Sequence, residues 1–256
     1  MRGQAALWLL IGTVAMPLAA EDSPPTRQQA TEQFLGANRA YEAGDYPQAI
    51  AGYEALLTKG AGGASVHYNL GNAYLRNGEL GKAIASFRRS RNLAPRDGDV
   101  RANLEFARQT TRDALAPPEP SPVLSNLLFW HYGLSRSELA TVLIFVNLLF
   151  WIVAALRLYH QRSETLRWVS IGSLLLLLAF GTSVFGRQVL SSPVAVVVPQ
   201  EIEALTAPDT EAVVRFKLHA GTEVLVAEQR QGWVRITLPD GQQAWIEAAW
   251  AEIVAE

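Results

Sequence analysis

The chain has 256 residues, with 22 Lys and Arg against 24 Asp and Glu, and no cysteine. Without cysteine there is no disulfide framework, thiolate zinc site or cysteine nucleophile. No segment is basic enough for a nucleic-acid footprint, and residues 188–256, with four basic against ten acidic side chains, would repel phosphate backbones. His67, His131, His160 and His219 fall in four different segments, with no second histidine at a spacing that builds a metal site.

At the N-terminus, Arg2 precedes an apolar run from Ala5 to Met16, followed by Pro17, Leu18, Ala19 and Ala20. This order reads as a signal peptide over residues 1–20 with cleavage before Glu21, or else as an uncleaved anchor. Either reading sends the following residues across a membrane.

Residues 21–116 form the second unit. Gly44, Ala49 and Tyr53 recur as Gly78, Ala83 and Phe87, each displaced by 34 positions, the length of a helix–turn–helix repeat. Leu70, Gly71, Tyr74, Gly78, Ala83, Phe87 and Pro95 match the consensus of the tetratricopeptide family, which this stretch resembles. Ala49, Gly71, Tyr74, Gly78, Ala83, Phe87 and Pro95 are the expected repeat-packing residues: small ones let helices approach, large ones fill the holes, and Pro95 stops a helix. A partial third unit from Val100 to Ala107, continuing to about Arg112, is expected to cap the stack. In that family the inner helices line a groove for a peptide, and the resemblance puts Phe34, Asn38, Tyr41, Tyr68, Asn69, Asn72, Leu75 and Asn103 there. Asparagine amides pair with both donor and acceptor groups of a backbone. The positions where relatives carry carboxylate-clamping cations hold Phe34 and Asp99, so backbone-plus-aromatic recognition is expected; the alternative is that Asn38 and Asn72 merely face solvent. Arg88, Arg89, Arg91 and Arg96 read as a solvated convex face, or else as a docking site for anionic headgroups or an acidic partner.

Residues 117–135 are a linker and interfacial segment, and the proline-rich stretch from Ala116 to Pro122 is expected to be an extended spacer. Residues 136–187 read as a transmembrane helical hairpin. Its spans cover about 139–156 and 168–186, and the first, at 18 uncharged residues, reaches about 27 Å, close to a bilayer's hydrocarbon thickness. Ser135 and Glu138 make a capping box at its start. The intervening loop carries Arg157, Arg162 and Arg167 against Glu164 and is expected in the cytoplasm. Both flanking modules then lie outside. Phe129, Trp130, Tyr132, Tyr159 and Trp168 read as interfacial aromatics, and Asn147 as helix–helix glue.

Residues 188–256 change to short β-rich runs: Val194–Val198, Val213–Phe216, Glu223–Glu228, Trp233–Leu238 and Gln243–Ile246. Ala220-Gly221, Gln231-Gly232 and Pro239-Asp240-Gly241 supply the turns. The order Leu205–Pro208, Ala220–Thr222, Gly232–Ile236, Asp240-Gly241 and Ala244–Ile246 resembles bacterial SH3-like domains. Trp233 and Trp245 alternate inward at strand spacing and are expected to pack the barrel core rather than a ligand.

The fold expected is thus a multidomain membrane protein: an all-α tetratricopeptide domain, two transmembrane helices and a small all-β SH3-like barrel. That order, with Tyr68-Asn-Leu-Gly-Asn-Ala-Tyr74 and Asn103-Leu104 in the repeats, resembles the BatE family of bacterial aerotolerance operons. The resemblance implies membrane-protein partners with von Willebrand A domains, a functional link to a MoxR-type AAA+ ATPase, and a role in oxidative or envelope stress. The function expected is a non-enzymatic scaffold in the inner membrane, with both soluble modules periplasmic. A different reading is an envelope-glycan binder using the barrel on peptidoglycan. An enzyme is not expected, because no stretch is left for a catalytic domain and no nucleophile–base or paired-carboxylate constellation stands out. No cofactor is implied.

Overall fold

The structure is a computed structural model that describes residues 25–113, 115, 121–189 and 192–254. The expected signal peptide and most of the proline-rich spacer lie outside the described residues.

Two helical hairpins come first: α1 (Arg27–Glu42) with α2 (Tyr46–Thr58), then α3 (Ala64–Arg76) with α4 (Leu80–Leu93). Thr26 and Gln29 close a capping box at the start of α1, and the Asp45 side chain accepts from the Gln48 N–H at the start of α2. The same device ends α1 and α3. Gly44 and Gly78 take φ of +80° and +84°, a backbone conformation only glycine adopts without strain, and the next N–H reaches back to Ala40 and Tyr74. Gly78 is exposed at this turn and does not pack, a correction to its expected role. Ala49, Gly71, Tyr74, Ala83 and Phe87 are buried, while Pro95 is half-buried just past α4. Gly71 shows why size matters: an added Cβ would sit 2.7 Å from the Phe87 ring. A single helix, α5 (Gly98–Gln109), follows with Asp97 as its cap, burying Val100, Leu104 and Ala107.

Two short helices, α6 (Pro122–Leu127) and α7 (Phe129–Tyr132), lead to α8 (Arg136–Tyr159) and α9 (Glu164–Val189). Ser135 and Glu138 form the expected capping box. Both long helices are apolar enough to cross a membrane, and most of their leucines, with Ile144, Phe145 and Trp151, are largely exposed rather than packed in a core. They contact each other, and the Trp130 indole donates to Ser183 Oγ at 3.1 Å while Arg187 donates to the Leu134 carbonyl at 2.9 Å.

The C-terminal unit is one antiparallel sheet. Its strands are β1 (Val194–Val197), β2 (Glu201–Leu205), β3 (Val214–His219), β4 (Glu223–Arg230), β5 (Trp233–Thr237), β6 (Gln243–Glu247) and β7 (Ala251–Val254), in the order β3-β2-β6-β5-β4-β1-β7. Residues from strands far apart in that order, such as Val197 of β1 and Leu218 of β3, share one apolar cluster, so the sheet curls around its core. β2 and β7 have no counterpart among the expected runs. Glu201-Ile-Glu-Ala-Leu205 and Ala251-Glu-Ile-Val254 are short and half charged or small, so their own composition is not β-rich.

The helical repeats and the sheet share a core. β1 is buried at all four positions: Ala195 and Val197 face the sheet's own cluster, whereas Val196, joined by Val254 of β7, packs into the core of the repeats. The element on the other side is α4, buried continuously from Ala83 to Arg88. Gly81 permits the approach, since an added Cβ there would run into the Val197 carbonyl. Gly221, in the loop between β3 and β4, meets Thr111, Ile84 and Leu80 in the same way. An ordinary array would place the next helix of the third repeat against α4 and α5; here the sheet takes that position and closes the stack.

Candidate functional site

Burial decides the character of the joint between repeats and sheet. Arg88 of α4 is 1% exposed and Glu223 of β4 is 0% exposed, and they form an ion pair. Arg108 of α5 donates from Nε to Glu223 Oε1 at 2.7 Å. Burial alone would raise the Glu223 pKa, but hydrogen bonds from Arg108 and the charges of both arginines outweigh it and hold the carboxylate below its ordinary range. Arg89 pairs with Glu252 of β7 at 2.5 Å, and Arg96 pairs with Glu138 at the start of α8. The expected solvated convex face is therefore corrected: Arg88, Arg89 and Arg96 bond carboxylates elsewhere in the chain, and Arg88 is wholly enclosed. Asp113 adds a second tie, accepting from the His219 backbone N–H at 2.7 Å and from Thr222 Oγ1 at 2.6 Å, with its other oxygen 2.7 Å from His219 Nδ1. Burial opposes charge on Asp113, yet these bonds from Thr222 and His219 lower its pKa. The acidic composition of the C-terminal module was the one sequence signal that an arginine-rich helix had a partner within the chain.

With α4 covered, the face built by α1, α3 and α5 is left uncovered by the described residues, and the expected groove residues lie on it or beside it. All eight are half-buried. Asn69 Nδ2 donates to Asn38 Oδ1 at 3.0 Å, linking α3 to α1, and Asn103 Nδ2 donates to Asn72 Oδ1 at 2.8 Å, linking α5 to α3. Both pairs are the same contact one 34-residue repeat apart. Burial pushes the Tyr53 hydroxyl to about 12, so it stays protonated and donates to Asn38 Oδ1 at 2.6 Å. Asn103 donates also to Tyr68 Oη at 3.0 Å. Asn38 and Asn72 are thus neither plainly solvated nor wholly free: their carbonyls stitch the repeats together. Each Nδ2 is left without a hydrogen bond among the described residues, a donor at repeat spacing for a peptide carbonyl. The rings are partly engaged as well, Phe34 against Tyr53 at 6.0 Å, Tyr68 against Phe87 at 6.1 Å and Tyr41 against Tyr46 at 5.6 Å. Leu75 packs against the repeat core.

Trp233 and Trp245 sit elsewhere than expected. The core side of β5 and β6 holds Val234, Ile236, Ala244 and Ile246; the tryptophans alternate with these onto the opposite face, where Trp245 is paired in register with Arg235. Trp245 is buried there by guanidinium groups, Arg230 at 5.5 Å and Arg235 at 5.8 Å from its ring centre. Trp233 is half-exposed and lines an open cleft of about 660 Å³ with Pro208, Gln229, Arg230 and Gln231. The core expectation fails for Trp233, while Trp245 is buried as expected but outside the sheet's main apolar cluster, because strand periodicity marks two faces without saying which is inside. No group of three or more His, Cys, Asp or Glu able to hold a metal occurs among the described residues.

Residues 34–98 match the tetratricopeptide repeat family model, and residues 198–250 match that of the bacterial SH3 domain. A search of the curated proteins gives no match. β1 and β7, the strands that reach α4, lie just outside the second matched range on either side, and α5 begins at the last residue of the first.

Proposed function

We propose that this chain is a non-enzymatic scaffold of the bacterial inner membrane, carrying one fused periplasmic body on a two-span hairpin. The observation behind this reading is the shared core. Residues before the hairpin and residues after it pack into one cluster through Val196 and Val254, and segments that share a core occupy one compartment. An even number of crossings between them satisfies that, and α8 and α9 supply two. The sheet seats on α4 and leaves the α1–α3–α5 face uncovered, with amide donors on Asn38 and Asn72 at repeat spacing. That face is the proposed partner surface, for membrane proteins with von Willebrand A domains in a Bat-type aerotolerance or envelope-stress complex functionally linked to a MoxR-type ATPase. Holding such partners next to the bilayer raises their effective concentration for one another.

Photo-crosslinking residues placed at Asn38, Tyr68 and Asn72 of the full chain in cells test this. Adducts with integral membrane proteins bearing such domains are expected; their absence from all three positions, in a chain that is folded and membrane-bound, overturns the partner assignment. Reporter fusions at Ser163 and after the last residue are expected to lie in opposite compartments. Hydrolysis of wall material by the purified chain would overturn the non-enzymatic assignment.

The cleft at Trp233 favours a second reading, an envelope-glycan binder that senses or tethers peptidoglycan. Co-sedimentation of the full chain with wall sacculi, abolished by Trp233→Ala, would establish it.

A further inference from the structure

Asn147 is the one strongly polar side chain between Leu139 and Leu156 of α8, and it stands at the middle of that stretch. It does not glue α8 to α9. The seam between the two helices buries Leu139 and Val153, with Val142, Val146 and Phe150 half-buried alongside. Asn147 is turned about 100° away from Val146 at α-helical pitch and is exposed, and its carboxamide has no hydrogen-bond partner among the described residues. Around it Ala140, Ile144, Trp151, Ala154 and Leu158 fall at spacings of four and three, the period of a left-handed helix pair. Ile144, Trp151 and Leu158 are 68%, 63% and 74% exposed, so none of the described residues covers this second seam.

We propose that this seam pairs with the same seam of a second copy of the chain, the two α8 helices running parallel and their Asn147 carboxamides hydrogen-bonded to each other. The proposal rests on α8 crossing the bilayer. A carboxamide there has no water to bond, so an unmatched one is costly and a matched one holds helices together. Two properties select a second copy over an unrelated helix. Any copy inserted in the same direction brings its own Asn147 to the same depth. A carboxamide also carries both donor and acceptor, so two of them satisfy each other about a two-fold axis, whereas a hydroxyl or carboxyl partner would have to arrive at that depth from a different sequence.

Because the chain lacks cysteine, single cysteines report the contact cleanly. The full chain carrying Ile144→Cys, on the seam, or Leu149→Cys, exposed on another side of α8, is oxidised with copper phenanthroline in native membranes. Disulfide dimers are expected from Ile144→Cys and not from Leu149→Cys. Adding Asn147→Leu to the Ile144→Cys chain is expected to lower the dimer yield about three- to tenfold, the range an interhelical hydrogen bond commands in lipid, and Asn147→Gln to restore most of it. Equal crosslinking at both positions, a yield indifferent to Asn147→Leu, or adducts only with a different protein would overturn the pairing. Extraction of the same membranes with alkaline carbonate separates the two levels of failure. A chain that is retained but does not crosslink refutes the dimer alone, and a chain that is released refutes the membrane span and the dimer with it.

Discussion

Arg88 and Glu223 lie 135 residues apart in the chain and form an ion pair that water does not reach. The whole hairpin of α8 and α9 is threaded between them. A pair this dry adds little net stability by itself, because desolvating two charges offsets much of their attraction. Its effect is selective: once the sheet rests on α4, any displacement strands a charge, so one docking geometry is favoured over nearby ones.

Removing one partner is therefore expected to cost far more than removing both. Glu223→Ala leaves Arg88 and Arg108 facing an apolar interface, and a loss of about 3–5 kcal/mol is expected in denaturant unfolding of the purified chain. The double variant Arg88→Met with Glu223→Leu is expected to regain part of it, since Arg108 loses Glu223 in either variant but keeps Glu105 nearby. A neutral Glu223→Ala would mean that water reaches the pair.

Gly81 offers a steric test of the same joint. Gly81→Val pushes a side chain into the Val197 carbonyl, so α4 and β1 must part. With cysteines at Arg89 and Glu252, whose side chains meet in the native fold, a short bismaleimide is expected to bridge the parent chain efficiently and the Gly81→Val chain several-fold less. Gly98→Ala, where an added Cβ meets nothing within 4 Å, is expected to change the yield little.

Acid is expected to loosen the fold in two steps. Burial, helped by the nearby Arg89 charge, lowers His67 from 6.5 to about 4. The unfolded chain thus binds this proton first, and stability falls as pH drops from about 6.5 toward 4. Glu223 and Asp113 have folded pKa values depressed below ordinary values of 4.5 and 3.8. Their contribution is complete above those values and is lost as pH falls through the lower folded ones. His67→Gln is expected to flatten the upper step and leave the lower one, as read by unfolding midpoints across pH 3–8.

The two faces of β5 should respond unequally to truncation. Ile236 is wholly buried, and Ile236→Ala is expected to cost about 2–5 kcal/mol. Trp233, half-exposed at the rim of the cleft, is expected to cost much less when replaced by alanine. Comparable losses at both sites, measured by thermal unfolding, would return Trp233 to the core.

Much of the architecture is local, and what is local was readable. Gly44 and Gly78 mark matching helix ends because only a left-handed residue closes those turns. An uncharged run of 18 residues identifies a candidate span by its length, and Gly232 and Gly241 punctuate strands. The asparagines at 38, 69, 72 and 103 were identifiable as inner-helix positions, but their mutual bonds were not, since a 34-residue period relates equivalent positions without showing that neighbours touch. The uninterrupted Val194–Val198 run carried a clue to burial on two faces, because a strand with one wet side alternates.

By itself, the sequence determined the repeat helices, two helices long and apolar enough to cross a membrane, and five of the seven described strands. Only the tertiary structure decided that β1 is sandwiched between two modules, that Arg88 is enclosed, and that Trp233 and Trp245 turn away from the core. The physical reason is that periodicity along one element describes the surface it offers. What covers that surface depends on an element far along the chain, and an arginine on a helix reads the same whether water or Glu223 lies opposite.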